Sequence, residues 1–171
     1  MARQGGKEER KMFDVFGDFN SAEDINVAAA TLLEEGRVSD VVKLGLENGL
    51  DKDDIQDYTD GVVTELCTPL MAAIGKLNVE AKELKLPATL EGMVSMIIDM
   101  ATSDKVLAKD IRKTGKKLVD VLAKIVKLSS QNRVQLPKEL TKAAGIPANT
   151  FVGDVDQATF KKTVREYYAE G

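Results

Sequence analysis

Basic side chains are concentrated in residues 105–142, which carry eleven Lys or Arg and three acidic residues in a chain whose net charge is −4. Such a cluster of cations can bind phosphate groups or an acidic protein surface. The side chains that catalysis uses most are scarce, because the 171 residues include no histidine and one cysteine, Cys67. This composition removes the commonest general base, the histidine-dependent nucleophile pairs and most zinc sites. We therefore expect a binding protein with no enzymatic activity, no cofactor and no metal.

Residues 104–130 separate cleanly into a basic and an apolar face if they form one helix. At about 100° per residue, with Lys105 at 0°, the basic residues fall between about −20° and 120°, and the apolar ones between about 140° and 260°. Thr114-Gly115 is the point at which this helix could break and let the two groups of lysines diverge. The candidate partner-binding residues of this basic stripe are Lys105, Lys109, Arg112, Lys113, Lys116, Lys117, Lys124 and Lys127.

Tyr167 and Tyr168 supply an aromatic candidate near the C-terminus. Adjacent residues on a helix point about 100° apart, so we expect at most one of the two to be fully buried. The other stays available at an interface, where tyrosine is favoured. We take Tyr168 as the partner-binding residue of the pair.

The basic stripe has three interpretations that the sequence leaves open. It is a solvated outer face, a surface for a protein partner, or a surface for nucleic-acid phosphate. Base-stacking aromatics are missing from the stripe, and among its residues Arg112 alone has bidentate reach to guanine. Sequence-specific reading of bases is therefore not expected.

Other clusters have simpler explanations than a ligand site. The run from Asp51 to Asp60 lacks the glycine and glutamate of a calcium loop, since those positions hold Gln56 and Val62. A capped helix start explains its acids, and mimicry of a nucleic acid is the alternative. Residues 114–117 lack the upstream glycine and strand of a phosphate loop. Cys67 lies among apolar residues, which predicts a buried, inert thiol.

The spacing of apolar residues predicts an all-α protein, a helical bundle of about seven or eight helices that form one body or two small lobes. No stretch alternates with period two, so we expect no sheet and at most a short extended piece at 150–152. A helix is expected to begin near Asp60-Gly61. The residues expected to cap helix starts are Ser21, Asp51, Thr89 and Asp156, while Thr68-Pro69 is either a cap followed by the first turn of a new helix or a kink.

Proline and charge suggest the domain boundaries. Leu86-Pro87 resists helix, and the charge changes sign there, from −8 over residues 1–86 to +4 over residues 87–171. We therefore predict a mobile or loosely packed segment over residues 1–20, an acidic helical lobe over 21–86 and a basic helical lobe over 87–171. The start lacks the apolar region of a signal peptide, and no apolar run approaches the ~20 residues of a membrane span. A reducing cytoplasm is the expected compartment, with no membrane contact.

Two stretches carry a family resemblance. Ile97 to Arg133, which includes DMATSDKVLAKDIRKTGKKLVDVLAKIVKLSSQNR, joined to the terminal DQATFKKTVREYY, resembles small helical proteins carried by mobile elements of gut Firmicutes. These are PcfK-like conjugative-element proteins and related anti-CRISPR inhibitors of Cas9. The shared pattern is an apolar helix, a group like GKKL that opens a second helix, a spacer, and a final helix that ends in an aromatic pair. Here the spacer 134–155 is longer and lacks cysteine, so no binding residue is carried over.

The resemblance implies a non-enzymatic, mobile-element-encoded binding protein that inhibits a CRISPR effector nuclease such as Cas9 by occluding a functional surface. The alternative is a nucleic-acid-binding accessory protein of conjugation or replication that uses the basic stripe. A homodimer is a further option, with Met96 or Met100 in its seam.

Overall fold

A computed structural model describes residues 12–171, and over this range the chain is almost entirely helical. Residues 12–171 form nine α-helices and two three-residue strands, which confirms the predicted all-α class. The helices are α1 (Ala22–Glu34), α2 (Val38–Glu47), α3 (Lys52–Thr59), α4 (Pro69–Leu84), α5 (Ala88–Ser103), α6 (Lys105–Arg112), α7 (Leu118–Gln131), α8 (Lys138–Ala144) and α9 (Gln157–Ala169). The strands are β1 (Arg133–Gln135) and β2 (Phe151–Gly153).

The chain divides into two compact units, and the division falls between Gly115 and Lys116. The predicted boundary at Leu86-Pro87 is wrong, because α4 and α5 on either side of it pack against each other in the N-terminal unit. Pro87 separates two helices without separating two cores. Of the chain's charged residues, 14 basic and 22 acidic ones precede residue 116, whereas the C-terminal unit holds ten basic and six acidic ones. The acidic and basic halves therefore exist, with their border some 30 residues later than predicted.

The N-terminal unit is built around α4. This helix packs against α1, α5 and α6, while α2 lies between α1 and α3. The predicted cap residues Ser21 and Asp51 each accept a backbone N–H in the first turn of their helix, as a capping side chain does, and Thr68 does the same, which makes Thr68-Pro69 a cap and not a kink. Thr89 is not a cap, because α5 begins one residue earlier, after Pro87. The predicted helix near Asp60-Gly61 is also wrong, and residues 60–66 form turns and bends.

Two glycines allow α4 to meet the turn between α2 and α3. Gly49 has a φ of +72°, and Gly75 lies in the middle of α4. A Cβ on Gly75 would collide with the backbone carbonyl of Asn48, and a Cβ on Gly49 would collide with the backbone of Gly75. The close backbone contact therefore requires glycine on both sides.

Residues 12–20 belong to the N-terminal unit, so the predicted loose segment 1–20 is wrong over this part. The N–H groups of Val15 and Phe16 donate to the carboxylate of Glu47, and Phe16 and Phe19 pack against the core. The apolar side chains and these hydrogen bonds hold the segment in place. Residues 1–11 of the predicted segment lie outside the described residues.

The C-terminal unit consists of α7 packed against α9, with β1, α8 and β2 between them in the chain. The strands pair antiparallel, with Val134 opposite Val152, so the expectation of no sheet is wrong for six residues. The expected extended piece at 150–152 overlaps β2. Gly153 lies so close to Ser129 that a Cβ would meet its side chain and backbone, which fixes β2 against the end of α7.

We predict that Gly75→Ala lowers the free energy of unfolding by about 2 kcal/mol, because the new methyl group forces the backbones of α4 and Asn48 apart. Gly92→Ala is the matched control, since Gly92 lies inside α5 with open space at its Cβ position. It should raise the stability by about 0.5–1 kcal/mol through helix propensity alone. Urea unfolding followed by circular dichroism compares the two variants. Stabilisation by both substitutions would contradict the close contact.

Candidate functional site

The basic stripe predicted over residues 104–130 is interrupted. Helix α6 ends at Arg112 and α7 begins at Leu118, with Lys113 and Lys117 in extended conformations and Gly115 at a φ of +84° between them. The left-handed conformation is open to glycine at little cost and stops the helix there. Of the two possibilities that the sequence left open at Thr114-Gly115, the break is the one observed, and the basic residues are divided between two helices in two units.

Arg112 lies inside the N-terminal unit and is 1% exposed. Its Nη2 donates to Asn48 Oδ1 at 2.8 Å and to Asp18 Oδ1 at 3.4 Å. The ring of Phe13 lies 5.3 Å from its guanidinium carbon, within cation–π range. Arg112 is thus a buried structural cation, and the prediction that it contacts a partner at the surface is wrong.

Lys76 on α4 lies beside Arg112 and is also buried. Its Nζ donates to the backbone carbonyls of Lys113 at 2.7 Å and Arg112 at 3.5 Å, and it lies 3.8 Å from Asp18 Oδ2. A cation at the last carbonyls of a helix satisfies groups that have no partner within that helix and complements the helix dipole. Lys76 therefore stabilises the end of α6, just before the Thr114-Gly115 step at which the sequence allowed a break.

Burial lowers the pKa of the Arg112 guanidinium, while the carboxylates of Asp18 and Glu80 oppose that shift. Arginine remains protonated in proteins because the guanidinium group is a very weak acid. The buried polar centre therefore holds the positive charges of Arg112 and Lys76, faced by Asp18 and Glu80. We call these four residues, with Asn48, the buried charge cluster.

A cleft of about 180 Å³ opens beside Arg112 at the start of α1. Its walls come from the chain around Ser21, from Pro69 at the start of α4, and from the last turn of α6. Lys109 lies at this cleft with an exposed side chain. Lys113 lines it too, and its Nζ is 2.7 Å from Asp110 Oδ1. The cleft thus gathers Lys109, Arg112 and Lys113, three of the predicted site residues.

Tyr167 and a group of lysines form a second cluster, in the C-terminal unit. The Tyr167 hydroxyl accepts the N–H of Lys117 at 2.7 Å and donates to Asp120 Oδ2 at 3.2 Å. Lys116 Nζ donates to the Tyr167 carbonyl at 2.8 Å and lies 5.0 Å from the centre of its ring, and Lys124 Nζ lies 6.0 Å from the same ring. These contacts join the start of α7 to the last turns of α9.

Both tyrosines of the C-terminal pair are buried, so the expectation that one stays exposed is wrong. Tyr167 is 7% exposed and Tyr168 is 1% exposed, and their rings meet edge to face with centroids 4.9 Å apart. Tyr168 is therefore not available to a partner in this structure. The hydroxyl and ring of Tyr167 are engaged by α7, which explains how adjacent residues are both covered.

Five stripe lysines keep exposed side chains: Lys105 and Lys109 in the N-terminal unit, and Lys117, Lys124 and Lys127 in the C-terminal unit. Their role in binding a partner stays a prediction. Of the two methionines proposed for a dimer seam, Met100 is only 7% exposed and lies in the core, which removes it from that role. Met96 is half-buried.

The segment from Arg133 to Gly153, which we call the exposed ribbon, was missed as a candidate site. It comprises β1, α8 and β2, and all but three of its residues are exposed. Its five large apolar side chains are 40–51% exposed: Val134, Leu140, Ile146, Phe151 and Val152. The sequence offered one signal, a stretch of apolar residues without the helical repeat that would bury them.

The remaining sequence candidates have structural roles. Cys67 is 2% exposed, and burial raises the pKa of its thiol to about 12, with Arg112 opposing the shift. This confirms the predicted buried thiol. Asp51 caps α3, which agrees with the capped helix start that was predicted in place of a calcium loop. Among residues 12–171, no group of three or more His, Cys, Asp or Glu is placed to hold a metal ion.

Comparison of the chain with protein-family models, curated proteins and solved structures found no match. Over the described range, no helix has the length and apolar character needed to cross a membrane. The site must therefore be interpreted from its own geometry.

We predict that Asn48→Ala lowers the free energy of unfolding by about 2–4 kcal/mol, because it removes a hydrogen-bond acceptor from a buried charge. Asn78→Ala on the exposed face of α4 is the control and should change stability by no more than ~0.5 kcal/mol. Thermal and urea unfolding measure both. Equal, small effects would show that Arg112 does not depend on Asn48.

We predict that Cys67 makes stability fall in alkaline solution. Above pH ~9 the thiol ionises in the unfolded chain while the folded protein keeps its proton, so the unfolded state is favoured as the pH rises. The stability of the wild type relative to Cys67→Ala should therefore fall by about 1.4 kcal/mol between pH 8 and pH 10. Urea unfolding of both proteins at each pH removes the contribution of the lysines and tyrosines that they share. A constant difference would mean that the folded thiol ionises normally.

Proposed function

We propose that this chain is a non-enzymatic binding protein whose C-terminal unit docks onto an acidic surface of a protein partner. The observation that carries the proposal is the exposed ribbon. It presents five large apolar side chains in a unit with a net charge of +4. Exposed apolar groups cost free energy in water, and clusters of them commonly mark interaction sites.

The composition of this surface suits a protein interface. Phe151 and Leu140 can serve as apolar anchors, and Arg133, Lys138 and Lys142 on the same ribbon supply cations around them. Protein interfaces combine apolar or aromatic anchors with a polar rim, and charge complementarity speeds the encounter and selects the partner. Lys117, Lys124 and Lys127 on α7 add positive charge to the same unit.

The interruption of the basic stripe also favours a protein partner. A straight rod of eight cations could follow a phosphate backbone, but the break at residues 113–117 removes that rod. Arg112 is buried, and Lys113 and Lys116 are engaged within the chain. Fewer exposed cations mean fewer phosphate contacts and weaker non-specific binding to nucleic acid.

The resemblance to anti-CRISPR and conjugative-element proteins supplies the class of partner. We propose a CRISPR effector nuclease such as Cas9, inhibited by occlusion of a functional surface, for a protein encoded on a mobile element and acting in the cytoplasm. Nucleases of this class bind nucleic acid through positively charged channels. The C-terminal unit is basic, so it would bind an acidic face outside such a channel.

The test is inhibition of DNA cleavage by purified Cas9. We expect excess protein to slow cleavage, and a variant with Leu140→Ser and Phe151→Ser to lose at least ten-fold in inhibitory potency because the anchors are gone. The matched control is Val27→Ser, which changes an exposed apolar residue of α1 in the N-terminal unit. An unchanged cleavage rate at excess protein would reject the Cas9 proposal. Equal potency of the double variant and the control would reject the ribbon as the contact.

Binding to single-stranded nucleic acid is the second candidate, and Phe151 is the observation that favours it. This ring is 47% exposed and lies on a ribbon that also carries Arg133, Lys138 and Lys142, which is the combination that stacks bases and neutralises phosphates. Under this candidate, the affinity for an oligonucleotide should fall steeply with salt, and Phe151→Ser should weaken it. No binding at 50 mM salt would exclude it.

A further inference from the structure

Two hydrogen bonds just outside the strands fix the direction in which the backbone of the exposed ribbon points. At one end, the Leu136 N–H donates to the Thr150 carbonyl at 2.9 Å. At the other end, the Asp154 N–H donates to the Asn132 carbonyl at 2.7 Å. Hydrogen-bonded pairs alternate with pairs that exchange no hydrogen bond in an antiparallel ladder. Counted from either end, the first and last of the three strand pairs are therefore non-bonded, and the central pair is bonded.

This register leaves β1 with an open edge. Its outer residues, Arg133 and Gln135, direct their N–H and carbonyl groups away from β2, and among residues 12–171 these four groups have no hydrogen-bond partner. All three residues of β1 are exposed, whereas β2 lies against the end of α7 at Gly153. A strand edge with unpaired backbone groups is a template for the addition of another strand.

The side chains beside this edge indicate what an added strand needs. Val134 and Val152 project from one face of the ribbon and are 44% and 41% exposed, whereas Arg133 projects from the opposite face. The residue of an added strand that lies opposite Val134 extends this pair of valines, so an apolar, β-branched residue suits that position. Its neighbours lie opposite Arg133 and Gln135, and an acidic side chain at the first of these positions pairs with the guanidinium.

Charge determines which strand the edge favours. The ribbon carries three basic residues, Arg133, Lys138 and Lys142, against one carboxylate, that of Glu139, in a unit with a net charge of +4. A second copy of this chain would bring two basic ribbons together, which repulsion between like charges opposes. An acidic segment of another protein brings the opposite charge to all three cations.

We propose that β1 takes up an extended acidic segment of the protein partner, which joins the ribbon as a third strand. The segment alternates apolar and acidic residues, with an apolar side chain opposite Val134 and an acidic one opposite Arg133. Main-chain hydrogen bonds to residues 133 and 135 supply affinity, and the alternate side chains supply specificity. This inference rests on the proposed function, because it takes the acidic protein partner of the exposed ribbon as given.

The experiment titrates the ¹⁵N-labelled full chain with a capped seven-residue peptide that alternates glutamate and valine. We expect saturable shifts of the Arg133 and Gln135 amides, whose N–H groups gain acceptors, and smaller shifts of Val134 and Val152, which stay paired with each other. The control peptides are a lysine–valine peptide of the same pattern and a peptide of the same composition with its glutamates and valines in separate blocks. Equal shifts with either control, or no shift at millimolar peptide, would overturn the proposal.

Substitution of Gln135 tests the edge itself. Gln135→Pro removes the outward N–H and leaves the hydrogen bonds between Val134 and Val152 in place. Gln135→Ala is the matched control, since it also loses the side-chain contact with the Ala148 carbonyl but keeps the N–H. We expect Gln135→Pro to bind the glutamate–valine peptide at least five-fold more weakly than Gln135→Ala. Equal affinities would show that no strand is added.

Arg133→Glu provides a second variant that keeps every backbone group, in case Gln135→Pro unpairs the two strands. It should reverse the preference of the chain, so that the lysine–valine peptide binds more tightly than the glutamate–valine peptide. An unchanged preference would contradict the pairing of Arg133 with an acidic side chain and would also overturn the proposal.

Other occupants of the edge give different results. Movement of the Arg133 and Gln135 amides on dilution of the full chain without peptide would mean that a second copy fills the edge, which overturns the proposal. The peptide titration contains no Cas9, so its outcome is independent of the cleavage assay. Inhibition of Cas9 by Gln135→Pro with the potency of Gln135→Ala would mean that the partner docks on the apolar side chains alone. The proposed function would then hold and strand addition would fail.

Discussion

Burial of the Arg112 guanidinium is the constraint on which the N-terminal unit depends. A cation removed from water loses several kcal/mol of hydration, and this loss must be offset by partners at short range. The partners come from separate parts of the chain: Asp18 and Phe13 from the segment before α1, and Asn48 from the end of α2. The unit cannot bury Arg112 without bringing these parts together.

The same constraint determines where α6 ends. Lys76 on α4 donates to the carbonyls of Arg112 and Lys113, so the last turn of α6 is satisfied from outside the helix. Gly115 then turns the chain, and the C-terminal unit begins one residue later. The basic residues are thereby divided into two sets. Arg112 and Lys76 stabilise the interior of the N-terminal unit, and Lys117, Lys124 and Lys127 remain exposed on the C-terminal unit.

Local features of the fold could be predicted from the sequence, because their causes are local. Ser21, Asp51 and Asp156 begin helices as short polar residues do, and the repeat of Phe160 and Val164 marks the buried face of α9. Periodicity could not decide whether residues 104–130 form one helix or two, because a helical wheel assumes a continuous helix. In the structure, the contacts of Lys76 and the turn at Gly115 end α6. The burial of Arg112 and Tyr168 could not be predicted either, because it depends on the way in which distant segments pack.

The candidate site follows the same division. Exposure of Lys117, Lys124 and Lys127 follows from amphipathicity, which the sequence carries. The cleft at the start of α1 is lined by residues about 90 positions apart in the chain, and no sequence motif indicates it. The exposed ribbon could be recognised only from the structure, in which its apolar residues, which lack a helical repeat, lie outside the cores of both units. The proposed sites therefore lie where the observed burial of side chains differs from the burial that local sequence patterns predict.

Covalent footprinting of the lysines tests the buried charge cluster most directly. The Lys76 side chain is 2% exposed, whereas that of Lys43 in the same unit is 64% exposed. In the native protein, acetylation followed by mass spectrometry should modify Lys76 at least a hundred-fold more slowly than Lys43, and the two rates should converge in urea. Modification of Lys76 as fast as Lys43 under native conditions would contradict the account, because the cation that ends α6 would then lie in water.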